Sequence, residues 1–117
     1  MTEVIEPAIE TVTIDVVLSA LADPVRLTFV RALAAAGDWT CGSDVLTDTG
    51  VTIGKSTLSH HVKVLREAGL IRTRVDGIRR LVRLRYDDVE RRFPGLLTLL
   101  RERDSAPTVS ESAASTT

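Results

Sequence analysis

One cysteine, four aromatic side chains and the absence of any long apolar run narrow the reading of this sequence first. A lone Cys41 cannot make an internal disulfide, which excludes a disulfide-stapled secreted scaffold and suits a reducing compartment. No stretch approaches the roughly 20 apolar residues needed to span a bilayer. The N-terminus, with Glu3, Glu6 and Glu10, lacks the basic start and apolar stretch of a signal peptide. A cytoplasmic protein with no membrane partner is therefore expected. Aromatic residues are only 3% of the chain, and none lies between residues 55 and 85, the most basic stretch. That disfavours recognition of single strands by base stacking.

What is present is an ordinary globular balance, 44% hydrophobic and 26% charged over 117 residues, enough for one domain. The net charge of -1 conceals a strong asymmetry. Residues 55 to 85 hold nine basic residues against Glu67 and Asp76, a net +7, so the remainder carries -8. A basic block inside a folded segment is what a phosphate-binding surface requires, although a solvated charged face has the same composition. Residues 104 to 117 are small and polar, too poor in apolar groups to offset ordering entropy, and read as a disordered tail. Residues 1 to 11 are acidic and read as a flexible segment, which leaves 12 to 103 as the working domain.

Local signals then alternate along the domain. Val12, Val16, Val17, Leu18 and Leu21 suggest a first amphipathic helix. Asp23-Pro24 restarts the chain as N-cap and first helical residue of a second helix, which ends near Gly37. A short third helix is expected from Ser43, its cap, to Thr49, with Gly50 to Gly54 as a turn. The fourth runs from Lys55 to Ala68 and is closed by Gly69 in the left-handed conformation. Its apolar stripe is Leu58, Val62 and Leu65; Ser56, His60 and Lys63 point the opposite way, Ser59 lies on the flank, and His61 sits nearer the stripe.

Asp76-Gly77 reads as the two-residue turn of a β-hairpin built from residues 70–75 and 78–86, pairing 75 with 78, 73 with 80 and 71 with 82. Side chains alternate, so Arg72, Arg74, Arg79, Arg83 and Arg85 share one face, with Leu81. The other face carries Ile71, Thr73, Val75, Ile78, Val82, Leu84 and Tyr86, interrupted by Arg80. A last helix starts near Asp87-Asp88 and is broken or kinked at Pro94-Gly95. The fold class is mainly α with a small β-hairpin, in the order α-α-α-α-β-β-α, a winged helix-turn-helix.

A helix that buries one face and offers hydroxyls, an imidazole and an ammonium on the other fits the major groove of duplex DNA. Lys55, Ser56, Thr57, Ser59 and His60 fill its N-terminal half, where base reading takes place, and Lys63 continues the row. The hairpin arginines, Arg72, Arg74, Arg79, Arg80 and Arg83, then lie along the phosphate backbone or enter the minor groove. Two readings follow. One is a sequence-specific transcriptional regulator on double-stranded DNA; the other is a winged-helix interaction module that holds an acidic protein partner.

The segments Leu21-Ala-Asp-Pro-Val-Arg-Leu27 and Lys55-Ser-Thr-Leu-Ser-His-His-Val-Lys-Val-Leu-Arg-Glu-Ala-Gly-Leu-Ile71, followed by an arginine-rich hairpin, resemble the ArsR/SmtB family of winged-helix repressors over residues 14 to 100. The resemblance implies a homodimer that represses its own operon and releases DNA when an inducer binds. It implies dimerisation through the first and last helices, around Val16, Val17, Leu96, Leu97 and Leu100. The turn at Gly50–Gly54 is about two residues longer than the common form. Metal-sensing members carry a cysteine pair in the third helix or His/Asp sets in the last; here Cys41 stands alone and the last helix has no histidine. Neither a metal nor another cofactor is expected, and no residue names the inducer.

Other candidates stay open. Cys41 could be a redox switch, half of a site shared between subunits, or a small packed thiol. His60 and His61 diverge by about 100° on a helix and so make a poor metal pair. Ser59-His60 has no positioned acid or oxyanion feature, so no enzyme is expected. Trp39 reads as a packing or capping aromatic, with inducer binding as the alternative.

Overall fold

The computed structural model describes the backbone of residues 2–3 and 6–105 and the side chains of residues 6–101. In chain order the elements are β1 (Thr2–Glu3), a single 3-10 turn (Ile9–Thr11), α1 (Ile14–Leu21), α2 (Pro24–Ala36), β2 (Thr40–Cys41), α3 (Gly42–Asp48), α4 (Lys55–Glu67), β3 (Ile71–Asp76), β4 (Arg79–Leu84), α5 (Tyr86–Arg92) and α6 (Leu96–Ser105). The tail expected from 104 lies outside the described residues from 106 onward.

α2 lies at the centre of the helical layer, and both of its ends are specified locally. Asp23 accepts hydrogen bonds at Oδ1 from the N–H groups of Val25 (2.8 Å) and Arg26 (3.1 Å), and Pro24 supplies the first helical φ. Gly37 ends the helix at φ 75°. Between them Phe29, Val30 and Leu33 are wholly buried against Val17, Ala20 and Leu21 of α1, Val45 and Leu46 of α3, Leu65 of α4, and Ile71, Val82 and Leu84 of the hairpin. Removing a large member of such a core costs about 3–5 kcal/mol, part transfer and part cavity.

α3 starts one residue earlier than expected, at Gly42, and Ser43 is not its cap. Ser43 lies inside the first turn, and its hydroxyl meets the Cys41 thiol at 3.2 Å. α4 ends at Glu67 with Ala68 as its C-cap, and Gly69 follows at φ 81°. Only glycine fits there: a Cβ at 69 would stand 2.5 Å from Cγ2 of Val12, on top of the left-handed strain.

The sheet is antiparallel, in the order β1-β3-β4-β2. Its hairpin register pairs Ile71 with Leu84, Thr73 with Val82, Val75 with Arg80 and Asp76 with Arg79. The loop is therefore Gly77-Ile78, two residues on the expected count from the predicted pairing of 75 with 78. Gly77, at φ 64°, takes the first loop position, where the twist of a tight hairpin needs a positive φ. A shift of two leaves every strand residue on its expected face, whereas a shift of one would have reversed them all. Ile78 leaves the apolar face and stands fully exposed at the tip.

The leading end departs from expectation, and the trailing end matches it. Ile9 is only 4% exposed and belongs to the core, so the packed unit reaches back beyond residue 12. Guanidinium groups fasten this leading segment: Arg85 donates to the Pro7 carbonyl at 2.8 Å and Arg92 to that of Val12 at 3.0 Å. At the other end Pro94-Gly95 divides the last helix into α5 and α6, with Gly95 at φ 89°. α6 returns to α2, where Arg31 donates from Nε to the Leu100 carbonyl at 3.0 Å. Helices followed by a two-stranded wing make this a winged helix-turn-helix.

Candidate nucleic-acid interface

α3, the turn after it and α4 form the helix-turn-helix. The turn is held by Thr49, whose hydroxyl donates to the Leu46 carbonyl at 2.6 Å, and by the Val51 N–H to the same carbonyl at 3.2 Å. α4 begins behind Gly54 with no side-chain cap, which leaves its first-turn N–H groups directed outward at the positive end of the helix dipole. Leu65 is buried and Leu58 and Val62 are half-buried, as their i, i+4, i+7 spacing requires. Lys55, Ser56, Thr57, Ser59, His60 and Lys63 are all exposed. The sequence-predicted row is thus a continuous solvent-facing surface on one helix.

His61 has a separate role from His60. It is 9% exposed, and its Nδ1 lies 3.1 Å from Nη1 of Arg26. A guanidinium only donates, so Nδ1 is the acceptor and the ring is neutral with its proton on Nε2. Burial first, then the positive charges of Arg26 and His60, hold the imidazole pKa below its ordinary 6.5, against an opposing pull from Asp23. Arg26 itself is anchored by Nε to the Ala20 carbonyl at 2.7 Å and lies 3.9 Å from Asp23.

On the wing, the register places Arg72, Arg74, Arg79 and Arg83 on one face, with Asp76 and Leu81 between them. Arg72, Arg79 and Arg83 are exposed; Arg72 lies 3.7 Å from Glu6. Arg74 is half-buried, with its guanidinium 4.5 Å over the Trp39 ring, so Trp39 serves as a platform for a wing arginine. Arg80 is exposed on the opposite face. Arg85, expected on the arginine face, is not there. It follows the last strand residue, is 8% exposed, and ties Asp88 (3.1 Å) and Pro7 together inside the domain. Strand alternation says nothing about a side chain once the strand has ended.

The dimer candidates divide. Val16 is 46% exposed, but Val17 and Leu97 are each 1% exposed and belong to the domain's own core. Leu96 and Leu100 are half-buried against that core. Exposed apolar residues that sequence reasoning passed over are Ile14 (45%), Leu18 (52%) and Leu99 (64%). The i, i+3, i+4 trio Val17, Ala20 and Leu21 takes the inward face of α1, and that assignment would have pointed to them. Cys41 is half-exposed beside the groove between α4 and the wing; the hydrogen bond with Ser43 is the main cause that holds its thiol below the ordinary range. Among the described residues, no group of three or more His, Cys, Asp or Glu side chains gathers at metal-binding range.

A family described as a helix-turn-helix domain matches residues 21–74, from the end of α1 into the wing. The HTH-type transcriptional regulator YceK of Bacillus subtilis (strain 168), itself uncharacterised, is 39% identical over 85 residues, covering 72% of this chain and 82% of the relative. The chain belongs to the helix-turn-helix transcriptional regulators. A solved relative of this regulator is a possible transcriptional regulatory protein (fragment 1-100) from Mycobacterium bovis, 26% identical at a TM-score of 0.59 over 79% of this chain and 90% of that one. The regulator's helix-turn-helix and wing are the parts that a DNA-binding function uses. No helix among its described residues is long and apolar enough to cross a membrane.

Proposed function

We propose that this regulator is a dimeric, cytoplasmic repressor of the ArsR/SmtB kind that binds a pseudo-palindromic duplex and is released by an inducer. The observation that carries the reading is the uninterrupted polar row of Lys55, Ser56, Thr57, Ser59, His60 and Lys63 on α4, flanked by Arg72, Arg79 and Arg83 on the wing. The row enters the major groove, with Lys55 and the uncapped first turn at a phosphate and Ser59 and His60 at base edges. The wing arginines follow the neighbouring backbone or the minor groove, Arg74 stiffened by Trp39. Ile14, Val16 and Leu18 of α1 and Leu99 of α6 form the contact between subunits, because exposed apolar side chains on the first and last helices are covered by a symmetric copy. Nothing in this scheme calls for catalysis or a metal.

Fluorescence anisotropy on the promoter duplex of its own gene, against a scrambled duplex at two salt concentrations, tests the reading. Preference for the promoter, with affinity falling steeply as salt rises, supports it. Equal binding to both duplexes would favour a basic interaction module for an acidic protein instead.

A further inference from the structure

A groove of roughly 520 Å³ runs between α4 and the inner face of the wing, a volume within the range of small-molecule sites. Burial falls off along this face of the hairpin toward its tip: Ile71 is fully buried, while Val75, on the same face, is 37% exposed. Val75 and Val82 line the hairpin side of the groove, and Leu58 and Val62 line the helix side. Every charged residue in its lining is cationic; beside Arg74, which Trp39 engages, these are Lys55, Arg66, Arg79 and Arg80. An independent feature sits in the same lining. Thr73 is 7% exposed, and its hydroxyl oxygen has no hydrogen-bond partner among the described residues. A buried hydroxyl left unmatched is costly, and an acceptor entering from the groove satisfies it.

We propose that this groove binds a small amphipathic anion, an apolar chain or ring bearing one carboxylate, with the carboxylate between Arg80 and the Thr73 hydroxyl, diagonal neighbours on one face of the hairpin, and the apolar body between α4 and the hairpin. A neutral apolar molecule leaves four cations without a counter-charge, and a bare inorganic anion leaves the valine and leucine walls uncovered. Occupancy has a consequence that rests on the DNA-binding reading above. Lys55, Ser59, Arg79 and Arg80 belong both to the groove lining and to the surface assigned to DNA or its margin, so ligand and duplex compete.

Cys41, one of the residues lining the groove, provides a reporter that needs no DNA. Alkylation of the full chain by iodoacetamide is followed at increasing concentrations of decanoate, decanol and inorganic phosphate. Decanoate is expected to slow Cys41 alkylation at least about fivefold, with decanol and phosphate much weaker. The exposed pair Arg79→Glu with Arg80→Glu, verified as folded by circular dichroism, should raise the half-protecting decanoate concentration about tenfold. Protection by decanol or phosphate equal to that by decanoate, or an unchanged response in the charge-reversed protein, overturns the site. In a separate arm, decanoate should weaken binding of the promoter duplex. Undiminished DNA binding at decanoate concentrations that protect Cys41 would overturn the competition, whereas failure of the protein to prefer its promoter at all would strike only the DNA-binding reading.

Discussion

Arg26 of α2 donates a hydrogen bond from Nη1 to Nδ1 of His61 on α4 at 3.1 Å, so the helix that carries the exposed polar row is fastened to the centre of the domain by its one buried imidazole. The contact needs the neutral ring, because a protonated His61 would bring an N–H toward a guanidinium.

The pH dependence follows in sign. The folded state holds the His61 pKa below 6.5, so below that pH the unfolded chain binds the proton more readily than the folded one. The stability from the neutral ring is complete above pH 6.5 and is lost as pH falls toward and through the depressed folded pKa. Urea melts at pH 7.5 and 5.5 should show a larger loss for the natural protein than for His61→Gln, whose carbonyl oxygen can still accept from Arg26. Equal losses would mean that His61 does not titrate in this contact.

Adjacent residues on α1 should separate core from surface. Val17→Ala is expected to cost about 2 kcal/mol in chemical denaturation, since it removes two buried methyl groups and leaves a cavity. Leu18→Asp should keep the fold but lower the mass seen in sedimentation from dimer to monomer. A dimer that survives Leu18→Asp would place the subunit contact elsewhere.

Arg83 and Arg85 should behave oppositely although both lie in the basic block. Arg83→Ala, at an exposed wing position, should leave the melting temperature in place, weaken DNA binding and reduce its salt dependence by about one released counterion. Arg85→Ala removes the partner of Asp88 and of the Pro7 carbonyl, and should cost about 2–3 kcal/mol before any effect on DNA. Anisotropy at several salt concentrations, paired with thermal melts, distinguishes the two.

Gly69→Ala should destabilise by about 2 kcal/mol or more, from left-handed strain together with the clash against Val12. Shortening the neighbour in Val12→Ala should recover part of that loss in the double variant. Additive losses in thermal melts would show that the two side chains do not meet.

Much of the fold was legible because its signals are local. Asp23-Pro24, Gly37 and Gly69 each set a helix end through their own backbone preferences, and the α4 stripe followed from spacing alone. The exposed polar row of α4 was legible for the same reason. The proposed subunit contact was not: periodicity shows which residues are apolar, but Val17 and Leu97 face this chain's own core, and only the packing of α1 and α6 decides that. Arg85 depends on its contacts with Pro7 and Asp88, the Trp39–Arg74 stack on a neighbour across the sheet, and Ile9 on a distant arginine clasp, none of which leaves a repeating pattern in the sequence. The hairpin register was missed because Asp76-Gly77 and Gly77-Ile78 both put glycine in a two-residue loop.

That last feature makes wing length effectively quantised. Deleting one residue from β3 and one from β4 at matched positions beside the loop shortens the reach of the wing but reverses nothing along the rest of the hairpin. Deleting one residue from β3 alone, between Arg72 and Asp76, forces the distal strand either to bulge or to turn its arginines toward α4. Relatives of this regulator can therefore vary the span of their wings in paired steps while the charged side stays outward, and an odd step must bring a compensating bulge.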